Sequence, residues 1–140
     1  MTPRQIELVR TTFAIVEPIA DTAASLFYAR LFELDPSLRE LFPSDLTAQR
    51  RNLMQTLTVV VRGLDRLDTI VPAVEALGRR HGGYGVRSED FETIGAALLD
   101  TLAGALGPTF TTETRAAWAA AYGLLASVMD GAMDQASSAA

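Results

Sequence analysis

An all-α fold of about seven helices is predicted by three features of the 140-residue sequence. Apolar residues recur at intervals of three and four along most of the chain, which is the spacing of one helix face. No segment alternates apolar and polar residues over a useful length, as a half-buried strand would. Proline, glycine and cap-forming residues fall at the edges of the periodic stretches, where they close one helix and open the next. There is no linker-like tract and no internal repeat, so residues 1–140 read as one domain, with Gln135 to Ala140 a small polar tail that frays.

Each element follows from its local residues. Thr2-Pro3-Arg4-Gln5 offers an N-cap, a proline at the first helical position and a glutamine that completes a capping box. Ile6, Val9, Phe13 and Val16 form the stripe of the first helix, and Glu17-Pro18 ends or bends it. A second helix buries Ala23, Leu26, Phe27 and Leu31. Asp35-Pro36 opens a short helix and Phe42-Pro43 stops it. Ser44 can cap the next helix, with Leu53, Leu57, Val60 and Leu64 inward, before Gly63 and the Asp65–Asp68 stretch interrupt it. Ile70, Val74, Leu77 and His81 mark a fifth stripe, with Pro72 expected in its first turn and Gly82-Gly83 at its end. Ser88, Glu89 and Asp90 suit a helix start whose stripe is Phe91, Ile94, Leu98 and Leu102. After the break at Gly107-Pro108, Thr111 can cap a last helix carrying Trp118, Tyr122, Leu125 and Met129.

Composition narrows the function. Apolar residues make up 49% of the chain and charged residues 21%, a globular balance. A net charge of −5 speaks against nucleic-acid binding, which wants a basic face. The absence of cysteine excludes disulfides, thiolate metal sites and covalent haem attachment. The first ten residues are polar and charged, unlike a signal peptide, so a cytoplasmic location is expected. The apolar run from Ala116 to Met129 falls short of the roughly twenty residues of a membrane span.

The chemistry converges on the single histidine. There is no G-x-S-x-G elbow and no phosphate-binding glycine loop, and the paired acids Glu89/Asp90 and Asp65/Asp68 sit where caps and turns explain them. Taken alone, His81 beside Arg79 and Arg80 can be one more cation suiting a helix C-terminus. Yet it also continues an apolar stripe. One imidazole in an apolar helical shell suits a ligand needing a single protein bond. Haem is such a ligand, whereas zinc wants three or four.

Four stretches taken in order carry a family resemblance. They are Ser25 to Phe32 with Asp35-Pro36 and Leu41-Phe42; Ala48-Gln49 through Leu53 and Leu57; Pro72 to His81 with Gly85-Val86; and Ala117-Trp118 with Ala121-Tyr122. Over roughly Arg4 to Met133 the chain resembles the globins, in particular bacterial single-domain haemoglobins and the haem domains of flavohaemoglobins. The resemblance implies a globin fold around a haem pocket, holding one non-covalent haem b per chain. It implies His81 as the proximal iron ligand, with the Leu77 carbonyl placed to accept the imidazole Nδ1–H. Phe42 corresponds to the phenylalanine against the porphyrin face, Tyr28 and Gln49 to the distal donors, and Leu53 and Val86 to pocket lining. Without the resemblance, Phe42 reads as a core or turn aromatic, Tyr28 as a core-covering residue and Gln49 as part of a solvated face.

The implied function is reversible binding of dioxygen, for storage or delivery, with carbon monoxide and nitric oxide as further diatomic ligands. Nitric oxide dioxygenase activity is the alternative and would need a separate reductase. A gas sensor, which transmits to an output domain, and a haem-free helical interaction protein are further readings. One departure bears on the enzyme reading. Flavohaemoglobins surround the proximal histidine with a tyrosine and a glutamate, and the corresponding positions here are Phe91 and Met133. Neither can accept a proton from His81, so the electronic push for oxidative chemistry is in doubt.

Overall fold

The computed structural model describes the backbone of residues 1–83 and 87–139 and the side chains of 1–79 and 87–132. Six α-helices follow in order: α1 (Pro3–Val16), α2 (Ala20–Leu34), α3 (Thr47–Arg62), α4 (Leu67–Gly83), α5 (Asp90–Leu106) and α6 (Thr112–Ala139). Short 3-10 segments cover Glu17–Ile19, Pro36–Leu41 and Gly107–Thr109. With the six-residue Pro36–Leu41 segment counted, the expected seven are accounted for, and no strand occurs among the described residues.

Several helix ends form as the local residues dictate. Thr2 Oγ1 accepts from the Gln5 backbone N–H at 3.1 Å while Gln5 Oε1 accepts from the Thr2 N–H at 3.0 Å, closing the capping box. Asp35 accepts from the Ser37 N–H at 3.1 Å, and Thr111 from the Thr114 N–H at 3.1 Å. Gly107 carries the single positive φ among the described residues, +56°, a conformation that costs glycine nothing and a side chain much more.

Four local expectations are corrected. Asp45, not Ser44, closes the start of α3, accepting from the Thr47 N–H at 3.0 Å and from its hydroxyl at 2.6 Å. The Ser88 hydroxyl bonds Asp130 on α6, and the start of α5 is secured by Asp90, which accepts from the Arg87 N–H at 2.9 Å. Leu26 is exposed, because the buried face of α2 runs through Ala23, Ala24, Phe27, Tyr28 and Leu31. Pro72 lies in the second turn of α4, since the helix starts at Leu67. There it offers no N–H to the Asp68 carbonyl, which loosens the early part of this helix.

The core is built where α2 crosses α5 and α1 crosses α6, with Val9, Phe13, Phe27, Leu31, Leu98, Leu102 and Trp118 buried together. A buried polar link across it is satisfied: the Trp118 indole donates to Thr12 Oγ1 at 2.9 Å, and that hydroxyl donates to the Leu8 carbonyl at 2.7 Å. No helix among the described residues is long and apolar enough to cross a membrane. α3 packs on α2 and α1, whereas α4 packs chiefly on α6. At the corner between α3 and α4, Ile70 lies against Gly63.

Candidate functional site

The side chains singled out on α2 and α3 come together at the start of α3, the end away from that corner. Tyr28, on the inner face of α2, is 8% exposed, and its hydroxyl donates to the backbone carbonyl of Gln49 in the first turn of α3 at 3.3 Å. Phe42, at the end of the Pro36–Leu41 segment, meets the Tyr28 ring edge-on at 5.5 Å between centroids. Phe27 and Phe32 close the group, at 5.0 Å from Tyr28 and 5.4 Å from Phe42. Edge-to-face rings place the positive rim of one against the negative face of the next, so this arrangement fixes the Tyr28 ring and limits where its hydroxyl can turn.

Burial holds the Tyr28 phenol well above its ordinary range, to about 12, and the positive charge of Arg50 offsets only part of that. The group is therefore a hydrogen-bond donor throughout the physiological range. Gln49 is half-buried, and its Oε1 is the one buried side-chain oxygen or nitrogen without a hydrogen-bond partner among the described residues. An amide whose oxygen is committed to nothing in the protein can rotate to present either end to a ligand. Leu53, one turn along α3, borders a small apolar cavity of about 20 Å³ with Met54, Leu57, Phe27 and Trp118.

Sequence reasoning missed the part that holds Phe42 in place. Arg39 donates to the carbonyls of Phe42 at 3.2 Å, Pro43 at 2.9 Å and Ser44 at 3.2 Å, and its guanidinium lies 5.4 Å from the centre of the Phe32 ring. The available signal was Pro43 itself: a proline just after a helix leaves a run of carbonyls outside any ladder, and an arginine four residues earlier can reach them.

On the other side, Leu77 lies half-buried on α4 against the core, and Val74 is buried one turn before it. His81 falls in the last turn of α4, but its side chain lies outside the described residues, as do Val86 and the side chain of Met133. Phe91 is buried at the start of α5, and its carbonyl accepts from the Tyr122 hydroxyl at 2.6 Å. Among the described residues no cluster of three or more His, Cys, Asp or Glu could hold a metal ion.

These residues fit haem: a phenol that stays a donor, an amide with an unpaired oxygen, an aromatic ring at the edge and an apolar lining, with no carboxylate among the described residues bonded to Tyr28 or Gln49. Comparison with known proteins agrees. The family model described as Globin matches residues 25–129. The flavohemoprotein of Bacillus subtilis is 28% identical over 131 residues, covering 91% of this chain and 33% of that protein. The flavohemoprotein of Bordetella bronchiseptica is 30% identical over 134 residues, covering 94% and 33%. The chain thus spans about a third of the length of the curated relatives it matches. Among solved structures, a bacterial globin from Campylobacter jejuni superposes with a TM-score of 0.86 at 22% identity, covering 96% of this chain and 97% of that one. An engineered carbene transferase from Rhodothermus marinus superposes with a TM-score of 0.89 at 24% identity, covering 99% and 97%.

Proposed function

The chain belongs to the globin family, and from that premise we propose that it binds one non-covalent haem b and, through it, dioxygen reversibly. The observation that carries this reading is the pairing on α2 and α3: a buried phenol that stays protonated, next to an amide whose oxygen has no partner in the protein. Haem, when bound, would supply an iron atom able to take one imidazole from the protein and to bind a diatomic gas. His81 would hold the iron through Nε2, with the Leu77 carbonyl accepting its Nδ1–H and so fixing the tautomer. Phe42 packs against the ring, while Leu53 and Val86 line the pocket and keep water away from the iron.

Tyr28 and Gln49 act on the gas, the Tyr28 hydroxyl turning its one proton from the Gln49 carbonyl to the ligand and Gln49 presenting its amide N–H. A ligand that draws electron density toward its outer atom is held by a donor at that atom. A hydrogen bond to such a partly charged group is worth about 1.5–3 kcal/mol. At tenfold per 1.4 kcal/mol, Tyr28→Phe is expected to speed dioxygen dissociation by about ten- to a hundred-fold. An unchanged dissociation rate would remove the tyrosine from the reading. A first test is the absorption spectrum of the purified protein, reduced with dithionite and then exposed to carbon monoxide: no Soret band means no haem protein.

A second reading is favoured by one observation, that the curated relatives are flavohemoproteins of which this chain covers a third. It is nitric oxide dioxygenase activity in the cytoplasm, with electrons from a separate reductase. Nitric oxide consumption in the presence of dioxygen and a supplied reductase distinguishes it from carriage, which gives a stable oxygenated form and little turnover.

A further inference from the structure

We infer that Gly78 is a positioning residue for the iron ligand: its missing side chain lets α4 rest backbone to backbone on α6, and this seam sets where α4 carries His81. The inference rests on the haem reading above. Gly78 is buried one turn before His81, on the helix whose chief packing partner is α6. A Cβ built on it would lie 2.5 Å from the carbonyl oxygen of Met129, 2.6 Å from its Cα and 3.0 Å from its carbonyl carbon. All three atoms are backbone in the middle of a long helix, so no side-chain rotation relieves the contact. An added methyl must lift α4 away from α6.

α4 has few other means of resisting that displacement. It is interrupted by Pro72 in its second turn, and it makes no extensive interface with α3 among the described residues. The lift is therefore transmitted along the final turn to position 81 rather than absorbed between α3 and α4. By contrast, a Cβ on Gly104 or Gly123 would meet nothing within 4 Å, and one on Gly95 would meet the Tyr122 side chain rather than backbone.

The test is Gly78→Ala, made in a Gly104→Ala/Gly123→Ala background that adds helix-favouring residues at these two open positions so that the protein stays folded. The iron–histidine stretching band of the reduced protein, read by resonance Raman spectroscopy, is expected to shift relative to the background. A second pair of proteins carries His81→Gly with free imidazole added, so that the ligand no longer hangs from α4. There Gly78→Ala is expected to leave the band unmoved. The inference is overturned by an unmoved band with His81 present, by an equal shift with detached imidazole, or by failure to fold even in the stabilised background, which would make Gly78 a folding residue. Absence of any iron–histidine band in the background protein would instead overturn the haem reading itself.

Discussion

The two helices that carry the proposed distal and proximal residues, α3 and α4, are held by opposite means. α3 is tied in place by side chains: the Tyr28 hydroxyl on the Gln49 carbonyl, Asp45 on the Thr47 N–H, and Arg39 across the three carbonyls that lead into it. α4 is set by a backbone seam at Gly78 and Met129, with Val74 as its most deeply buried large side chain. The difference separates two kinds of control. On the α3 side the Tyr28 hydroxyl can turn its one donated hydrogen bond from the Gln49 carbonyl to a bound gas, while the Asp45 and Arg39 contacts hold the start of the helix. On the α4 side a single methyl group moves the helix.

The largest effect expected from this contrast is on α4. His81→Ala removes the proposed bond to iron, and no cluster of metal-ligating side chains among the described residues could replace it. Haem is expected to be lost on gel filtration, read as the ratio of Soret to protein absorbance. Retention of haem with an unchanged five-coordinate spectrum would sink the assignment. Next comes the dissociation change of about ten- to a hundred-fold on Tyr28→Phe. Because Tyr28 tunes the gas and does not carry the haem, that variant should keep its haem fully.

A third expectation concerns alkaline pH. Tyr28 titrates near 10 in the unfolded chain and at about 12 in the folded one, because burial penalises the phenolate. The folded state then holds its proton more tightly, so its contribution to stability is complete below pH about 10 and fades as pH rises toward about 12. Tyr122, buried with its hydroxyl on the Phe91 carbonyl, is shifted in the same direction and prolongs the decline. Denaturant midpoints followed through this range should fall, and less steeply in Tyr28→Phe. Equal slopes would mean that the two states ionise Tyr28 alike.

The same contrast separates what the sequence could reveal from what it could not. Helix ends closed by neighbours in the chain were legible: the Thr2 box, Asp35-Pro36 and the Thr111 cap all form. The aromatic and polar residues meeting near α3 were legible as types, because a phenol, an amide and a phenylalanine at those spacings resemble one family's distal side. Ser88 looked like a cap because hydroxyls commonly are, but the acid that takes it up, Asp130, lies forty-two residues away on α6. Leu26 looked buried because its spacing fits a stripe, yet the buried face of α2 runs through Ala23, Ala24, Phe27, Tyr28 and Leu31 instead. Gly78 carried no signal at all, since a glycine inside an apolar stripe reads as a mere weakness in the helix until the backbone across from it is known.

That last point gives the smallest prediction. Glycine inside a helix costs about 0.5–1 kcal/mol relative to alanine, through the backbone freedom it loses on folding. Gly104 on α5 and Gly123 on α6 are exposed, and a Cβ there meets no atom within 4 Å, so each change to alanine should stabilise by about that amount. Gly95→Ala forms the intermediate case. Its Cβ would lie 2.7 Å from the Tyr122 ring, which must tilt to make room and so strains the hydroxyl's bond to Phe91. Overpacking of that kind costs about 1–3 kcal/mol, enough to cancel the helix gain and reverse its sign. Thermal melts of the three variants thus sort glycines by what lies opposite them: two raise the midpoint and one lowers it. A gain at Gly95 equal to that at Gly104 would show that a side chain yields where the backbone at Gly78 does not, sharpening the distinction between the two ways these helices are held.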